Sequence, residues 1–300
     1  MSATKNPHVF TVDLEDWYQG IEIDIDNWGE FTPRIRNGLD PLLDMLQESN
    51  TKATFFVLGF QAEKTPDLIR KIADLGHDIA SHGYSHRFVY QQEPARFQAE
   101  LRRSKVLLED ICGQPVTGYR APFFSITQQS LWALDILLEE GFLYDSSLFP
   151  VNNYRYGIPG AKREAGWLMT PSGNRIFEIP LSTVRLPSAV ANRGRNVPMS
   201  GGGYFRLYPY RLTHWLIKRL EAEKSGLVFY MHPWEYDPDH PRISFPRRFP
   251  QFTHYYNLHG TAEKTRKLLN DFSFTTVAKA YSSQYSSVSW HEDSDMQAIG

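Results

Sequence analysis

Two histidines, His82 and His86, lie four residues apart, directly after a short apolar run that ends at Ala80. One turn of helix, or a tight loop of similar pitch, brings such positions onto one side of the chain. Both imidazoles can then reach one divalent cation. Because pairs at this spacing also occur by chance, the metal-site interpretation depends on what the rest of the chain supplies.

Three further polar clusters each follow an apolar run that is typical of a strand. They are Asp13–Asp16, Arg120–Pro122 and His232–Glu235. In a parallel barrel the carboxyl ends of all strands lie on one face, so these groups converge although they are far apart in the chain. The convergence favours a metal site with catalytic groups beside it.

The elements that must position these groups alternate along the chain. Apolar runs such as 53–59 and 175–180 predict strands, and segments such as 97–111 and 209–224 have helical spacing of apolar residues. This alternation predicts βα units with parallel pairing. With about seven strands, an α/β barrel or near-barrel is favoured over an open sheet.

Composition narrows the class of protein. A chain of 300 residues with 41% hydrophobic and 22% charged residues is typical of a globular protein with one large domain or two small ones. A net charge of -2 gives no reason to expect nucleic acid or an anionic membrane as a partner. No apolar run is long enough for a membrane span, and the polar first eight residues do not resemble a signal peptide, so a cytoplasmic location is expected.

In this order the motifs resemble the polysaccharide deacetylase family, also called the NodB homology domain or carbohydrate esterase family 4. The first motif, Thr11–Trp17, and the run Gly201–Arg206 are most similar to an exopolysaccharide-associated branch with a C-terminal extension. The resemblance implies a distorted (β/α)7 TIM-like barrel, forming one domain over residues 8–280. The extension would begin at about residue 200, and 281–300 would form a flexible tail.

The resemblance also implies roles for individual residues. His82 and His86, with one carboxylate, would hold a divalent ion, expected to be Zn2+. Asp13 matches the family's catalytic base, Arg120 matches the arginine that pairs with that base, and His232 matches the proton donor to the leaving amine. These are the roles that amide hydrolysis at neutral pH requires.

The third metal ligand is left open between two carboxylates. The family usually has adjacent aspartates or an Asp-x-Asp sequence, whereas this chain has Asp13, Glu15 and Asp16. Strand alternation puts Asp13 and Glu15 on the same face, which favours Glu15 if the strand continues. Asp16 is favoured if the chain turns after Leu14, because its shorter side chain resembles the usual ligand.

Aromatic residues near the clusters are candidates for sugar binding, since aromatic rings with one polar edge suit sugar faces but also fill cores. The candidates are Trp17, Phe123, Tyr204 and Trp234, and the backbone N–H of Phe123 is also a candidate partner for a developing oxyanion. Asp145 is interpreted either as a structural cap or as a group that orients His232. Residues 161–203 are expected to form a long excursion on the active-site face, with no helix beginning at Gly201–Gly203.

Together these features predict a metal-dependent hydrolase that removes N-acetyl groups from an amino sugar, in a polysaccharide or a lipid-linked precursor. Its partner would be a carbohydrate. One alternative is hydrolysis of a non-sugar amide or cyclic ureide, which a small closed site would favour. Another is a glycan-binding barrel without catalysis, which a failure to bind metal would favour.

Overall fold

The computed structural model describes residues 7–153, 155–186, 195–244 and 248–286. Its strands are β1 (His8–Leu14), β2 (Thr54–Val57), β3 (Asp78–Ser81), β4 (Gly118–Tyr119), β5 (Tyr144–Asp145), β6 (Gly166–Met169), β7 (Arg175–Glu178), β8 (Thr183–Leu186), β9 (Arg195–Pro198), β10 (Val228–Met231) and β11 (Phe274–Thr275). Its α-helices are α1 (Ile35–Glu48), α2 (Gly59–Lys64), α3 (Pro66–Asp74), α4 (Pro94–Cys112), α5 (Trp132–Glu139), α6 (Gly202–Leu207), α7 (Tyr210–Ala222), α8 (Arg248–Tyr255), α9 (Thr261–Asp271) and α10 (Val277–Tyr285).

Seven strands pair in parallel in the order β10-β1-β2-β3-β4-β5-β7. The antiparallel β6 extends the β7 edge, and β11 adds to β1. In the described residues no ladder joins β7 to β10. On this side of β10, the strand is instead bonded to the chain around β8 and β9. Tyr230 N–H donates to the carbonyl of Ser200, and Val228 N–H donates to Ser182 Oγ, each at 2.8 Å. The predicted α/β class and distorted barrel are thereby confirmed.

The sequence of β1 explains its central place in the sheet. All seven of its residues are buried, because it pairs with both β10 and β2 and is covered on both faces. Helices such as α1 and α3 bury one apolar side each against the sheet. Inside α1, Gly38 lets the helix approach the chain after β10, where a Cβ would lie 1.8 Å from the carbonyl oxygen of Pro233.

The strand register sets the ends of several strands at one level. Leu14 pairs with Val57, Val57 with Ser81, and Ser81 with Tyr119. On the other side of β1, Val12 pairs with Met231. The residues that follow these strand ends therefore emerge side by side at the carboxyl edge of the sheet.

Two expectations for the second half need correction. The segment 161–203 contains β6, β7 and the antiparallel hairpin of β8 and β9, with residues 187–194 outside the described part. A helix, α6, does begin at Gly202, where the backbone passes close to the buried carboxylate of Glu235.

The expected tail begins within α10, and Tyr285 of that helix is buried against Tyr144 at a ring distance of 5.2 Å. The rest of the predicted tail, 287–300, lies outside the described residues. Among the helices that the structure describes, none has both the length and the apolar character needed to cross a membrane.

Candidate active site

Glu15, His82 and His86 form a buried cluster at the carboxyl edge of the sheet. Their candidate ligand atoms all lie within 4.8 Å of one another. Glu15 Oε2 lies 2.7 Å from His86 Nε2, and both side chains are buried. A carboxylate oxygen and an imidazole nitrogen this close, with a second imidazole beside them, fit a site where all three side chains bind one cation.

A backbone contact fixes the ring of His82. Its Nδ1 lies 2.7 Å from the carbonyl oxygen of Arg120, so Nδ1–H donates and the Nε2 lone pair is left for the cluster. Burial lowers the pKa of His82 to about 4, and the opposing charge of Asp13 does not overcome it. The imidazole is therefore neutral near pH 7, which is the form that binds metal.

Glu15 is held ionised inside the same cluster. Burial raises its pKa, but the charges of His86 and His232 outweigh burial and bring the pKa of Glu15 to about 2. Trp234 Nε1–H donates to Glu15 Oε1 at 3.2 Å and fixes the other oxygen. The carboxylate is thus both oriented and charged, as a metal ligand must be.

Asp16 lies outside this cluster and caps α1. Its Oδ2 accepts hydrogen bonds from the backbone N–H of Arg34 (2.8 Å) and Ile35 (3.0 Å), and its Oδ1 accepts from Trp17 N–H (2.8 Å). Burial raises the pKa of Asp16 to about 6, against these hydrogen bonds. Of the two carboxylates left open by the sequence, the structure places Glu15 with the histidines.

Asp13 faces the cluster and is held by Arg120. Arg120 Nη1 donates to Asp13 Oδ1 at 2.7 Å and to Thr11 Oγ1 at 2.8 Å. Arg120 Nη2 and Nε donate to the side chain and carbonyl oxygens of Ser146, so the fully buried guanidinium cannot rotate. Because Arg120 binds Oδ1, the other oxygen of Asp13, Oδ2, faces His232 and lies 3.9 Å from its Nε2.

His232 completes the group from the end of β10. Its Nε2 lies 3.5 Å from Glu15 Oε1, and its Nδ1 donates to Glu235 Oε1 at 2.9 Å. Burial lowers the pKa of His232, but the carboxylates of Glu15, Glu235 and Asp13 raise it to about 9. The side chain therefore carries a proton on the face toward Asp13.

A second charge pair, absent from the sequence-based roles, holds Glu235. Arg206 Nε donates to Glu235 Oε2 at 2.7 Å, and both side chains are buried. Burial would raise the pKa of Glu235, but Arg206 and His232 keep it below its ordinary value. The sequence contained two signals of this pair. Glu235 lies three residues after His232, which is the spacing of a capping box, and Arg206 ends the Gly201–Arg206 motif.

Glycine is required where α6 begins, because Glu235 fills the space beside it. A Cβ on Gly202 would lie 2.0 Å from Glu235 Oε1 and 2.1 Å from Oε2. A Cβ on the next glycine, Gly203, would meet nothing within 4 Å. The motif therefore lets backbone pass against the carboxylate while Arg206, one turn later, reaches back to it.

The backbone around the cluster is strained. His86, Phe123 and Phe124 have φ angles of 52°, 54° and 54°, in the left-handed region that side chains other than glycine rarely adopt. The rings of His86 and Phe123 are 4.3 Å apart, so Phe123 lies against the cluster. Strain of this kind persists where surrounding structure enforces it, often at functional sites.

A cavity of about 390 Å³ opens beside His232, between the segment after β1, α6 and α8. Trp234 lines it and is stacked between His232 and His254, with ring distances of 5.2 and 4.2 Å. A volume of this size falls in the range of small-molecule sites.

The other aromatic candidates are placed differently. Trp17 does not line the cavity and is buried among Tyr18 and Phe31, so the structure gives it a core position, the second of the two roles that the sequence allowed for an aromatic ring. Tyr204 is partly buried, and its hydroxyl lies 3.2 Å from that of Tyr156.

Asp145 does not reach His232. It accepts from Ser147 Oγ at 2.5 Å and lies beside Glu178, where burial raises the pKa of both carboxyl groups. Of its two interpretations, the structural one fits this position, because the orienting contact to His232 comes from Glu235.

Two family models match the chain. Residues 26–137 match the polysaccharide deacetylase model, and residues 146–282 match a domain of unknown function, DUF3473. The first segment contains His82, His86 and Arg120, and the second contains Arg206, His232 and Glu235.

Curated relatives match this chain over stretches about as long as the first of these segments. A peptidoglycan-N-acetylglucosamine deacetylase of Bacillus cereus is 35% identical over 107 residues, which are 35% of this chain and 36% of the relative. A peptidoglycan deacetylase of Helicobacter pylori is 32% identical over 111 residues, 37% of each chain. A chitooligosaccharide deacetylase of Bradyrhizobium is 31% identical over 97 residues, 32% of this chain and 42% of the relative. The chain thus spans little more than a third of the length of these relatives.

Solved structures share the fold over nearly the whole chain. A Mycobacterium smegmatis protein assigned to the polysaccharide deacetylases superposes with a TM-score of 0.61 at 19% identity, covering 99% of this chain and 97% of that one. A peptidoglycan N-acetylglucosamine deacetylase bound to an N-hydroxybenzamide derivative gives 0.50 at 15% identity, covering 94% and 90%. Residues 26–137 of the chain thus match the polysaccharide deacetylase family, and the chain as a whole shares the distorted-barrel fold of these structures.

Proposed function

We propose that this protein hydrolyses the N-acetyl group of an amino sugar, in a glycan or in a lipid-linked precursor of one. One observation carries the proposal. The carboxylate of Asp13 and the imidazole of His232 converge on a buried Glu15, His82 and His86 cluster, with His232 Nε2 only 3.5 to 3.9 Å from the two carboxylates. A base, an acid and a metal site within one cleft are the parts that amide hydrolysis needs.

The donor set suits zinc. Two imidazoles and one carboxylate are a common ligand set of catalytic zinc sites, which keep a position open for water or substrate. A divalent ion held there would lower the pKa of a water molecule and polarise the acetyl carbonyl. The ionised Glu15 carboxylate and the neutral His82 ring supply ligand atoms in the correct protonation state.

Asp13 is placed to act as the base. Arg120 occupies Oδ1, so Oδ2 is the oxygen that accepts a proton from the attacking water. The guanidinium is itself fixed by Thr11 and Ser146, which holds the carboxylate at one position relative to the cluster. A base with a fixed acceptor atom avoids the entropy loss of ordering it in each catalytic cycle.

His232 is placed to act as the acid. Glu235 holds Nδ1, which turns Nε2–H toward the cleft, where the sugar nitrogen would leave. Proton transfer from Nε2 to that nitrogen completes the breaking of the carbon–nitrogen bond and releases acetate and a free amine. The same imidazole has 18% of its side chain exposed, so it can contact a substrate in the cavity.

The substrate class rests on chemistry and on the relatives. Trp234, Arg206 and His254 give the cavity an aromatic wall with polar edges, which suits a sugar ring. Relatives named for peptidoglycan and chitooligosaccharide deacetylation support an N-acetylated amino sugar. A cytoplasmic location and the absence of a nucleic-acid partner stay predictions from the sequence.

Acetate release from N-acetylglucosamine oligomers tests the proposal. Purified protein is assayed as isolated, after chelation, and after zinc is restored, beside His82→Ala and the control His259→Ala, an exposed histidine outside the cluster. We expect release that chelation abolishes and zinc restores, that His82→Ala loses and that His259→Ala keeps. Release that survives both chelation and His82→Ala would contradict the metal-dependent mechanism.

A further inference from the structure

Two carboxyl groups outside the proposed mechanism lie side by side at the ends of neighbouring strands. Asp145 is the last residue of β5 and Glu178 is the last residue of β7, and the parallel register pairs them directly. Both are buried, and their carboxyl groups are in hydrogen-bond contact. A hydrogen bond between two carboxyl groups needs a proton on one of them, because an ionised carboxylate only accepts. The pair therefore binds at least one proton.

The surrounding hydrogen bonds place this proton on Glu178. Asp145 accepts with both oxygens, from Ser147 Oγ to Oδ1 at 2.5 Å and from Ser147 N–H to Oδ2 at 3.3 Å. Glu178 Oε1 accepts from Leu148 N–H at 3.0 Å, whereas its buried Oε2 meets no donor among the described residues. Oε2 is satisfied when it carries the proton and donates toward Asp145. Burial, with the nearby charge of Asp145, also raises the pKa of Glu178 well above its ordinary value.

Ser147 connects Asp145 to the chain that follows β4. While its hydroxyl group donates to Asp145, the same oxygen accepts from the backbone N–H of Ala121 at 2.8 Å. Ala121 follows Arg120 and precedes the short 3₁₀ helix Pro122–Phe124. A hydroxyl group that donates to a carboxylate is held in one orientation, so Asp145 fixes the backbone on the C-terminal side of Arg120.

Ser146 connects the same pair to the guanidinium of Arg120. Its carbonyl and hydroxyl oxygens accept from Arg120 at 3.1 and 3.0 Å, and its hydroxyl group donates to the carbonyl of Ile179 at 2.8 Å. Ser146 directly follows Asp145, and Ile179 directly follows Glu178. The two carboxyl groups are therefore adjacent in sequence to the two residues that complete this contact.

We propose that Asp145 and Glu178 share one proton and act as positioning residues for Arg120, and through Arg120 for the base Asp13. With one shared proton the pair carries a single negative charge. Two ionised carboxylates in contact would repel each other, and two neutral acids would accept the surrounding hydrogen bonds less strongly. Arg120 and the phenol of Tyr119 face the pair, so the remaining charge lies near a cation. The positioning role rests on the proposed function, whereas the shared proton does not.

Infrared spectroscopy on the full chain tests the shared proton. At about pH 8 ordinary carboxyl groups are ionised, so the C=O band of a protonated carboxyl group reports a buried acid. We expect this band in the unmodified protein and its loss in Glu178→Gln. The control Asp16→Asn should keep the band, because the pKa of Asp16 is about 6. Absence of the band from the unmodified protein, or its survival in Glu178→Gln, would overturn the shared proton.

Urea unfolding between about pH 6 and 9 gives a second readout of the same proton. The unfolded chain releases the proton of Glu178 above its ordinary pKa, whereas the folded protein keeps it, so this group makes the unfolding midpoint fall as pH rises. Glu178→Gln lacks this group, and its midpoint should fall less over the same range. Parallel pH dependence of the two proteins would contradict the proposal.

The activity of metal-loaded protein tests the positioning role. Ser147→Ala removes the contact to Ala121 while keeping both carboxyl groups, and Asp145→Asn replaces one acceptor oxygen by a donor. For both variants we expect kcat for acetate release to fall about tenfold, with KM and bound metal unchanged. Glu178→Gln should stay within about twofold, because its amide N–H replaces the O–H donor while its oxygen still accepts from Leu148.

A kcat of Ser147→Ala within about twofold of that of the unmodified protein would overturn the positioning role, and so would an equal loss in Glu178→Gln. Should Asp145→Asn fail to fold, Ser147→Ala decides alone. No acetate release by the unmodified protein would contradict the proposed function and the positioning role together. The infrared band then still decides the shared proton, since it is measured without any activity.

Discussion

The first and second halves of the molecule build the site in different ways. In residues 8–145, the groups proposed for catalysis and metal binding lie at or near strand ends: Asp13 is the penultimate residue of β1, and His82 and Arg120 directly follow β3 and β4. The register of β1 to β4 brings these three residues together. In residues 146–286, only His232 follows a strand of the barrel. Its support comes from Arg206 on α6 and from Glu235 in the 3₁₀ helix Pro233–Tyr236.

The difference separates two tasks. In the proposed mechanism, the first half holds the metal cluster and the base through strand geometry, which tolerates little change in backbone position. The second half orients His232, the proposed proton donor, and its α6 and α8 contribute residues to the wall of the cavity. Substitutions in the two halves should therefore fail differently, one set by losing metal and the other by losing turnover with metal kept.

The largest effect is expected for Glu15→Gln, which removes the charged ligand atom without changing shape. Bound metal should be lost and kcat/KM for acetate release should fall by about a thousandfold or more. Metal analysis and the acetate assay on the same sample measure both. A variant that keeps stoichiometric metal would show that the ligand lies elsewhere in the first half.

A smaller effect of another kind is expected for Glu235→Gln. The amide no longer stabilises the protonated imidazole, so kcat should fall by about 10- to 100-fold while bound metal is unchanged. The donor must carry its proton, so the rate falls as pH rises through the pKa of His232. Because the Glu235 charge raises that pKa, its loss should move the alkaline limb of the kcat profile to lower pH.

The comparison with Glu235→Gln is made on metal-loaded protein. A cation beside Glu15 opposes the charge on His232, so the alkaline limb of the unmodified protein should lie below pH 9. Glu235→Asp serves as the conservative variant and should restore part of kcat. An alkaline limb that stays in place in Glu235→Gln would leave Glu235 with a packing role only.

Gly202→Ala tests the position of Glu235 from the helix that packs against it. The added methyl meets both Glu235 oxygens at about 2 Å, so we expect a loss of about 1 to 3 kcal/mol in unfolding free energy, with a lower kcat. Gly203→Ala, whose methyl meets nothing within 4 Å, is the matched control for stability. Equal denaturation midpoints for the two variants would contradict the close packing at Gly202.

The smallest effect on activity is expected for Asp16→Asn. The side chain would still cap α1 with one oxygen but would lose the charge that strengthens its three hydrogen bonds. Stability should fall by about 1 to 2 kcal/mol in urea unfolding, with metal content and kcat unchanged. Loss of metal in this variant would return Asp16 to the list of ligands.

Much of the first half could be predicted because its signals are local. An apolar run followed by Asp13 or His82 is visible in a short window, and parallel pairing then dictates that such strand ends meet. The choice between Glu15 and Asp16 was harder, since it depends on whether alternation persists one residue beyond Leu14. The structure keeps Glu15 on the face of Asp13 and turns Asp16 toward the start of α1.

The second half was less predictable because its contacts are not local. Arg206 and Glu235 are 29 residues apart and meet only when α6 packs against the end of β10. Trp17 resembled a sugar platform in sequence, yet the aromatic cluster around it buries the ring. In both cases the deciding factor is which distant segment packs on the residue, and a local residue pattern does not contain that information.

Metal content and kcat measured side by side for Glu15→Gln and Glu235→Gln test whether the two halves of the molecule divide metal binding and proton transfer between them. Glu15→Gln should lose both metal and acetate release. Glu235→Gln should keep the metal of the unmodified protein and lose turnover, with its alkaline limb moved to lower pH. If both variants lose metal together, or if neither does, the two halves do not divide the work as described.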